Sequence, residues 1–494
     1  MDVAFAGGVH GPTALESFLG ITLDALAEGA KDREGPIPAG DPATLARRWR
    51  TELGELLPET GSEPGEVLAG LVRQLAAGAA DPSDPACAAH LLCPPLALAV
   101  AADTAAGSVN ASLDSWDQAP LASVLEEQLV EAFSRLVGFP DSSAGVLTSG
   151  GTESNLMGLL LARDNVIRRR RGVEVARSGL AGTGDTFRIL CSEAAHFSIA
   201  RCAGFLGLGE DAVLPVPVDE AHRMRPEELT RSLEMVRCRG RVPLAVVATA
   251  GTTDLGGIDP IAELEPIARE YGAWLHVDAA YGGGALFSAR LVRLLEGIER
   301  ADSVSLDLHK FGWQPVAAGA FLTRAADSFA PLDRTVAYLN SEDDERAGYT
   351  SRLGHSLRTT RRADAFKVAV TLRSFGKAGL GELVDRCHAL AEDAAEFVRE
   401  HPKLELRADP VLSTVVFRYL PSDPAHGAAV NAEIRRSLLA EGLAVIGRTS
   451  MLDSSGAEAI YLKLTLLNPN TTPAQVQELL RHILAKGESA EAAQ

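Results

Sequence analysis

Between residues of about 100 and 370, short apolar runs alternate with amphipathic stretches, and this rhythm restricts the chain more than any other feature. "FRILCS", "PLAVVATAGTT", "AWLHVDAAYGG" and "ADSVSLDLHK" read as buried strands. "ESNLMGLLLARDNVIRRRR" and "IAELEPIAREYG" read as the helices between them. Strand–helix–strand repetition demands parallel pairing through right-handed crossovers, so the fold class is α/β with a mostly parallel central sheet. Ligands of such sheets bind at the carboxyl ends of the strands. Each cluster of small or chemically unusual residues in this region falls at such an end.

The flanks differ. Residues 1 to about 85 read as helices separated by Gly/Pro loops. In "DPATLARRWRTELGELL", Leu45, Trp49, Leu53 and Leu56 share one face. So short a segment offers that face no partner, and packing on another subunit is expected. Near the other end, "LVDRCHALAEDAAEFVREH" and "TPAQVQELLRHILAK" read as helices, and "STVVFRYL" and "AIYLKLTLLNP" as strands. The expected division is a helical N-terminal dimerisation segment over 1–98, a large domain over 99–372 and a small C-terminal α/β domain over 373–494. The long polar segment "DRTVAYLNSEDDERAGYTSRLGHSLRTTRRADAF" reads as a lid.

Charge removes several partners. Lys and Arg number 47 against 66 Asp and Glu, a formal charge of −19. Such acidity disfavours nucleic acid and anionic membrane surfaces. The apolar run "HLLCPPLALAVAADTAAG" is broken by Pro94, Pro95 and Asp103, too early to span a bilayer. The first residues carry neither a basic cluster nor a long apolar run, so no signal peptide is expected. Six cysteines are scattered without CxxC or metal-ligand spacing. They read as reduced thiols of a cytoplasmic protein with no metal site.

The strand-end clusters carry the chemistry. In "LTSGGTESN", Gly150 and Gly151 feed a helix that Thr152 and Glu153 open. That is an anion cradle or a plain capping box. His196 in "SEAAHFSIARCAG" is a structural histidine or a stacking partner. Thr249 in "ATAGTTDLGGIDP" caps a turn or meets a ligand. Asp278 in "HVDAAYGGG" requires a cation, either an arginine or a heteroaromatic ring for which Ala280 leaves room. Lys310 in "SLDLHK" keeps its head group in water, or is a buried amine whose lowered pKa makes it a nucleophile. One ligand uses all five positions: pyridoxal 5'-phosphate, with its phosphate, pyridine nitrogen, ring face and aldehyde.

With these motifs quoted, the chain resembles the group II pyridoxal-phosphate decarboxylases over residues of about 81 to 485. That family includes aromatic amino acid, glutamate, lysine and 2,4-diaminobutyrate decarboxylases. The resemblance implies the aminotransferase-like fold (fold type I) and a homodimer with its sites at the interface. It implies that Lys310 bonds the cofactor and Asp278 pairs with the ring nitrogen. His196 and Ala280 would flank the ring, and Thr249 would contact cofactor or substrate. Gly151, Thr152 and His309 would hold the phosphate, and Tyr338 matches a mobile-loop tyrosine. "SVNASLDSWDQAP" and "YLKLTLLNPNTT" look most like the bacterial diaminobutyrate and lysine decarboxylases, with an amine and carbon dioxide as products. Asp114 and Asp117 are then candidates for the distal ammonium. The alternatives are an aromatic amino acid decarboxylase, with Trp116, Phe197 and Trp313 as pocket walls, or an aldehyde synthase or aminotransferase on the same fold. Two positions depart from the family: its upstream His-Pro pair reads "DPACAAH", and Lys463 stands where relatives often carry Arg.

Overall fold

A computed structural model describes residues 4–180, 186–334, 336, 338–453 and 455–494. Its strands are β1 (Cys87–Ala88), β2 (Ala144–Thr148), β3 (Phe187–Ser192), β4 (Val213–Val216), β5 (Val242–Thr249), β6 (Trp274–Ala279), β7 (Ser303–Asp307), β8 (Gly319–Thr323), β9 (Leu404–Leu406), β10 (Thr414–Tyr419), β11 (Val445–Leu452) and β12 (Glu458–Thr465). They fall into two compact units, residues 95–388 and residues 4–94 with 389–494.

In the unit of residues 95–388, the described strands form a seven-stranded sheet in the order β2-β8-β7-β6-β5-β3-β4. β8 runs antiparallel to both neighbours, and all the other pairs are parallel. Every residue of β3, β6, β7 and β8 is buried. This explains why they read as near-continuous apolar runs rather than as alternating ones. Helix Gly151–Arg171 packs on this sheet and ends in Arg168, Arg169, Arg170 and Arg171 before Gly172 in a left-handed turn. Four cations beside its carbonyl end complement the helix dipole.

In the other unit, the sheet order is β1-β11-β12-β10-β9. β1 pairs in parallel with β11, and the remaining pairs are antiparallel. Helix Pro473–Ala492 starts in a capping box of Thr472 and Gln475.

The N-terminal segment departs from expectation in two ways. Gly54 takes φ 60 and ends helix Pro42–Leu53, so Leu56 lies beyond that helix. The segment also supplies an internal partner for Trp49, whose ring would lie 3.5 Å from a Cβ at Gly78. Helix Gly11–Arg33 packs on helix Pro64–Gly78, where a Cβ at Gly29 would meet Ala76 at 2.7 Å. Arg73 and Asp32 pair across them at 2.6 Å. Leu53, Leu57 and Leu75 stay exposed, at 43%, 89% and 68%. Among the described residues, no helix is long and apolar enough to cross a membrane.

Candidate active site

Register brings the strand-end clusters into one row. Thr249 pairs with Asp278, and Asp278 with Ser305. Asp307 and Thr148 both pair with Gly319. The carboxyl ends of β2, β5, β6 and β7 therefore lie side by side, joined at one point by the start of β8.

The turn after β2 is shaped for close approach. Gly150 has φ 147, and a Cβ there would lie 2.9 Å from His309 Cε1. A Cβ at Gly151 would lie 3.0 Å from Ala280 Cβ and 3.2 Å from Asp307 Oδ2. Glu153 turns back to accept the Ser149 N–H at 2.7 Å, and Arg358 holds its other oxygen at 2.9 Å. The carboxylate therefore closes the turn rather than crowding the helix N-terminus. The free N–H groups of that first turn make a seat for an anion. Thr152 is exposed at the start of the helix, and its carbonyl accepts from Cys202.

Asp278 is 6% exposed and fully engaged. Oδ2 accepts from Asn155 Nδ2 at 2.7 Å, and Oδ1 accepts from Ala280 N at 3.1 Å and Ser305 Oγ at 3.3 Å. Its three donors are all neutral, so no cation of the described residues stands among these hydrogen-bond partners.

Lys310 follows the end of β7. Its Nζ lies 2.9 Å from Asp307 Oδ2, and His309 Nε2 approaches the same oxygen at 3.7 Å. His309 Nδ1 lies 2.8 Å from the Ala318 carbonyl, which aims the other ring nitrogen at Asp307. Phe311 stacks on Tyr281 with centroids 5.5 Å apart, and Trp313 meets Phe311 edge-on at 5.9 Å. Trp313 is 1% exposed. Gly284 leaves room for the Phe311 ring, since a Cβ there would lie 2.2 Å from Phe311 Cβ. The aromatics anchor the lysine from beneath.

His196 precedes helix Ser198–Phe205, with Phe197 tilted against it at 4.3 Å. Burial lowers its pKa. Asp278 and Asp307 oppose that effect, while Lys310 adds to it. Those charges can act on His196 only from nearby. Lys310, Asp278, His196, Ala280, His309 and the glycine turn thus converge. Thr249 joins them through register. Tyr338 does not, and lies 83% exposed.

Polar residues inside the elements complete the cluster without any signal in the apolar pattern. They are Asn155, Ser198, Ser305 and Asp307. Only Asp307 has a local clue, its place three residues before Lys310. The two departures also meet in their own unit. Burial lowers the His90 pKa, and the charge of Lys463 lowers it further.

The donor set fits pyridoxal phosphate. Thr249 Oγ1 and Asp307 Oδ1 are buried without a hydrogen-bond partner among the described residues. Asp307 lies against the glycine turn, whose space any Cβ would fill, and Thr249 pairs in register with Asp278. Comparison with known proteins agrees. The pyridoxal-dependent decarboxylase conserved domain matches residues 50–420. L-2,4-diaminobutyrate decarboxylase of Rhizobium meliloti (strain 1021) is 41% identical over 86% of this chain and 82% of that protein. The enzyme of the same name from Acinetobacter baumannii is 37% identical over 81% and 79%. The glutamate decarboxylase domain of the diaminobutyrate-pyruvate transaminase and L-2,4-diaminobutyrate decarboxylase from Vibrio parahaemolyticus superposes with a TM-score of 0.88 at 32% identity, covering 98% of each chain. The mostly parallel sheet, the lysine beyond its strand end and these matches have one reading: the chain belongs to the pyridoxal-dependent decarboxylase family.

Proposed function

We propose that this chain decarboxylates a diamino acid, L-2,4-diaminobutyrate first among the candidates, to a diamine and carbon dioxide. The convergence of Lys310, Asp278 and His196 on one glycine cradle carries the reading. The names of the two relatives support the substrate. Bound pyridoxal phosphate supplies an aldehyde for covalent attachment and a ring that accepts the electron pair left by departing carbon dioxide. The chain's own residues do the rest. Asp278 holds a proton at the ring nitrogen, and the Gly151–Arg171 helix start seats the phosphate together with Thr152 and His309. His196 and Ala280 would hold the ring between them, Thr249 would meet cofactor or substrate, and Lys310 would supply the amine for the covalent link. Tyr338 would close over the substrate with its loop, and Tyr338 or His196 would return a proton to Cα.

A distal ammonium excluded from water requires a carboxylate. Asp117 is occupied by the Ser115 hydroxyl at 2.6 Å. Asp114 is 8% exposed, and its Oδ1 has no hydrogen-bond partner among the described residues. Asp114 is therefore the better candidate. The test is a carbon dioxide release assay with 2,4-diaminobutyrate, ornithine and lysine against tyrosine, tryptophan and phenylalanine. A diamino acid is expected to win by at least tenfold in kcat/KM, about 1.4 kcal/mol. Asp114→Asn should raise its KM, and Tyr338→Phe should lower amine output and raise the share of oxidative product, aldehyde with ammonia and hydrogen peroxide, formed at the expense of dissolved dioxygen. An aromatic winner refutes the substrate assignment.

We also propose a functional division of the chain: 1–98 for assembly, 99–372 for the cofactor and 373–494 as the small domain, in a cytoplasmic homodimer with its sites at the interface. The exposed Leu53, Leu57 and Leu75 support the assembly role. Light scattering should give twice the chain mass of 52.0 kDa, and a fully active monomer would refute the dimer. Cell fractionation checks the compartment, with recovery in a secreted or membrane fraction counting against it.

A further inference from the structure

Beneath the cluster runs a buried chain of hydrogen bonds whose direction is fixed at every link. The ionised Asp278 only accepts, so the amide NH₂ of Asn155 faces it at 2.7 Å. The Asn155 oxygen is thereby turned to His276, 3.0 Å from Nε2, and that nitrogen must carry the proton. His276 is completely buried, and burial pushes its pKa down to about 4, so the ring is neutral and Nδ1 is bare. Nδ1 accepts from Ser303 Oγ at 2.9 Å, and Ser303 in turn accepts from Trp274 Nε1 at 2.8 Å. A Cβ at Gly158 would lie 2.7 Å from the His276 ring, so the helix leaves space there by using glycine.

A second branch leaves the same amide. Asn155 Nδ2 also donates to Ser198 Oγ at 3.0 Å, which frees the Ser198 hydroxyl proton for His196 Nδ1 at 2.8 Å. The Ser198 backbone N–H points at the same ring nitrogen from 3.3 Å. Two donors converge on Nδ1, so the proton of neutral His196 is on Nε2.

We infer that Asn155 and His276 are positioning residues for the reaction, forming with Ser198 a one-way relay that fixes the Asp278 carboxylate and the Nε2–H tautomer of His196 together. The functional meaning rests on the decarboxylase reading, whereas the relay can be tested without it. Asn155 distributes one decision to two groups. Its oxygen accepts from His276 at 3.0 Å and also faces the Ser305 hydroxyl at 3.3 Å, which leaves both amide protons for Asp278 and Ser198. A neutral His196 in this tautomer presents a donor on Nε2 and has no proton on the side facing Ser198.

The test has two arms. In cofactor-free protein labelled with ¹⁵N-histidine, long-range ¹H–¹⁵N spectra should show His196 as the Nε2–H tautomer, its signal assigned with His196→Gln. Ser198→Ala should shift it towards a mixture. A wild-type Nδ1–H tautomer, or one that Ser198→Ala leaves unmoved, overturns the relay. The second arm compares His276→Gln with His276→Leu. Glutamine keeps a donor towards Asn155 and an acceptor towards Ser303, whereas leucine keeps neither. His276→Leu should lower kcat about 100-fold and move the pH at which the bound cofactor's visible band titrates, with His276→Gln restoring most of both. Equal damage in the two variants reduces His276 to packing and overturns its positioning role. Should His276→Leu not fold, the glutamine variant still decides, because a loss of about 100-fold there contradicts the relay. Failure to bind pyridoxal phosphate at all would defeat the functional reading and leave the tautomer measurement standing.

Discussion

Lys310→Ala should lower turnover by at least about 10⁴-fold, on the order of 5.5 kcal/mol of transition-state stabilisation. The Lys310 amine stands 2.9 Å from Asp307 Oδ2 at the mouth of the cradle, with 18% of its side chain exposed. The substitution removes the covalent link but leaves the anion seat and Asp278, so the cofactor should still bind, more weakly and reversibly by dialysis. Borohydride reduction of the wild-type protein should leave the cofactor on the peptide containing Lys310. Finding it on a different lysine would sink the assignment, as would turnover in Lys310→Ala within tenfold of wild type.

The second large effect is expected from Asp278→Asn. At an effective dielectric of about 20, a contact ion pair is worth on the order of 4 kcal/mol before desolvation. Asparagine keeps the shape and loses the charge. It also sets an NH₂ group against Asn155 Nδ2, where Oδ2 now accepts at 2.7 Å. Loss of at least about 3 kcal/mol from kcat/KM is expected, with a smaller change in thermal stability. Near-normal turnover would contradict the role of holding the ring proton. A fall in turnover that merely tracked unfolding, followed by circular dichroism, would contradict it as well.

The elements that read clearly in the sequence are those whose environment is uniform. β3, β5, β6 and β7 are buried on both faces, so apolar composition alone marks them. Lys310, Asp278 and His196 stand out because each breaks such a run at its end. Asn155 is hidden for the opposite reason. It sits near the start of its helix in "ESNLMG", where a polar residue looks like an ordinary solvent-facing position. Its burial at 1% depends on the helix packing against β6 and β7. Ser303, Ser305 and His276 look like imperfections within strands until register sets Ser303 opposite His276 and Ser305 opposite Asp278, and register between parallel strands is not encoded in either strand alone. The aromatic residues after Lys310 give no direction by themselves, and the space at Gly284 shows that the Phe311 ring packs inward.

The junction of β2 with β8 bears on the timing of assembly. Thr148 and Gly319 pair although 319 − 148 = 171 residues separate them. A Cβ on Gly319 would press on Thr148 Oγ1 at 2.6 Å and on the Gly150 Cα at 2.7 Å. The anion seat is thus braced from behind by a strand that the ribosome delivers long after the turn itself. Closing so long a loop costs entropy that the local glycine turn cannot repay, so the seat gains its shape only when the whole sheet closes. The cofactor therefore cannot nucleate its own site. It binds a finished sheet and then, by mass action, holds the most distant pairing in that sheet shut.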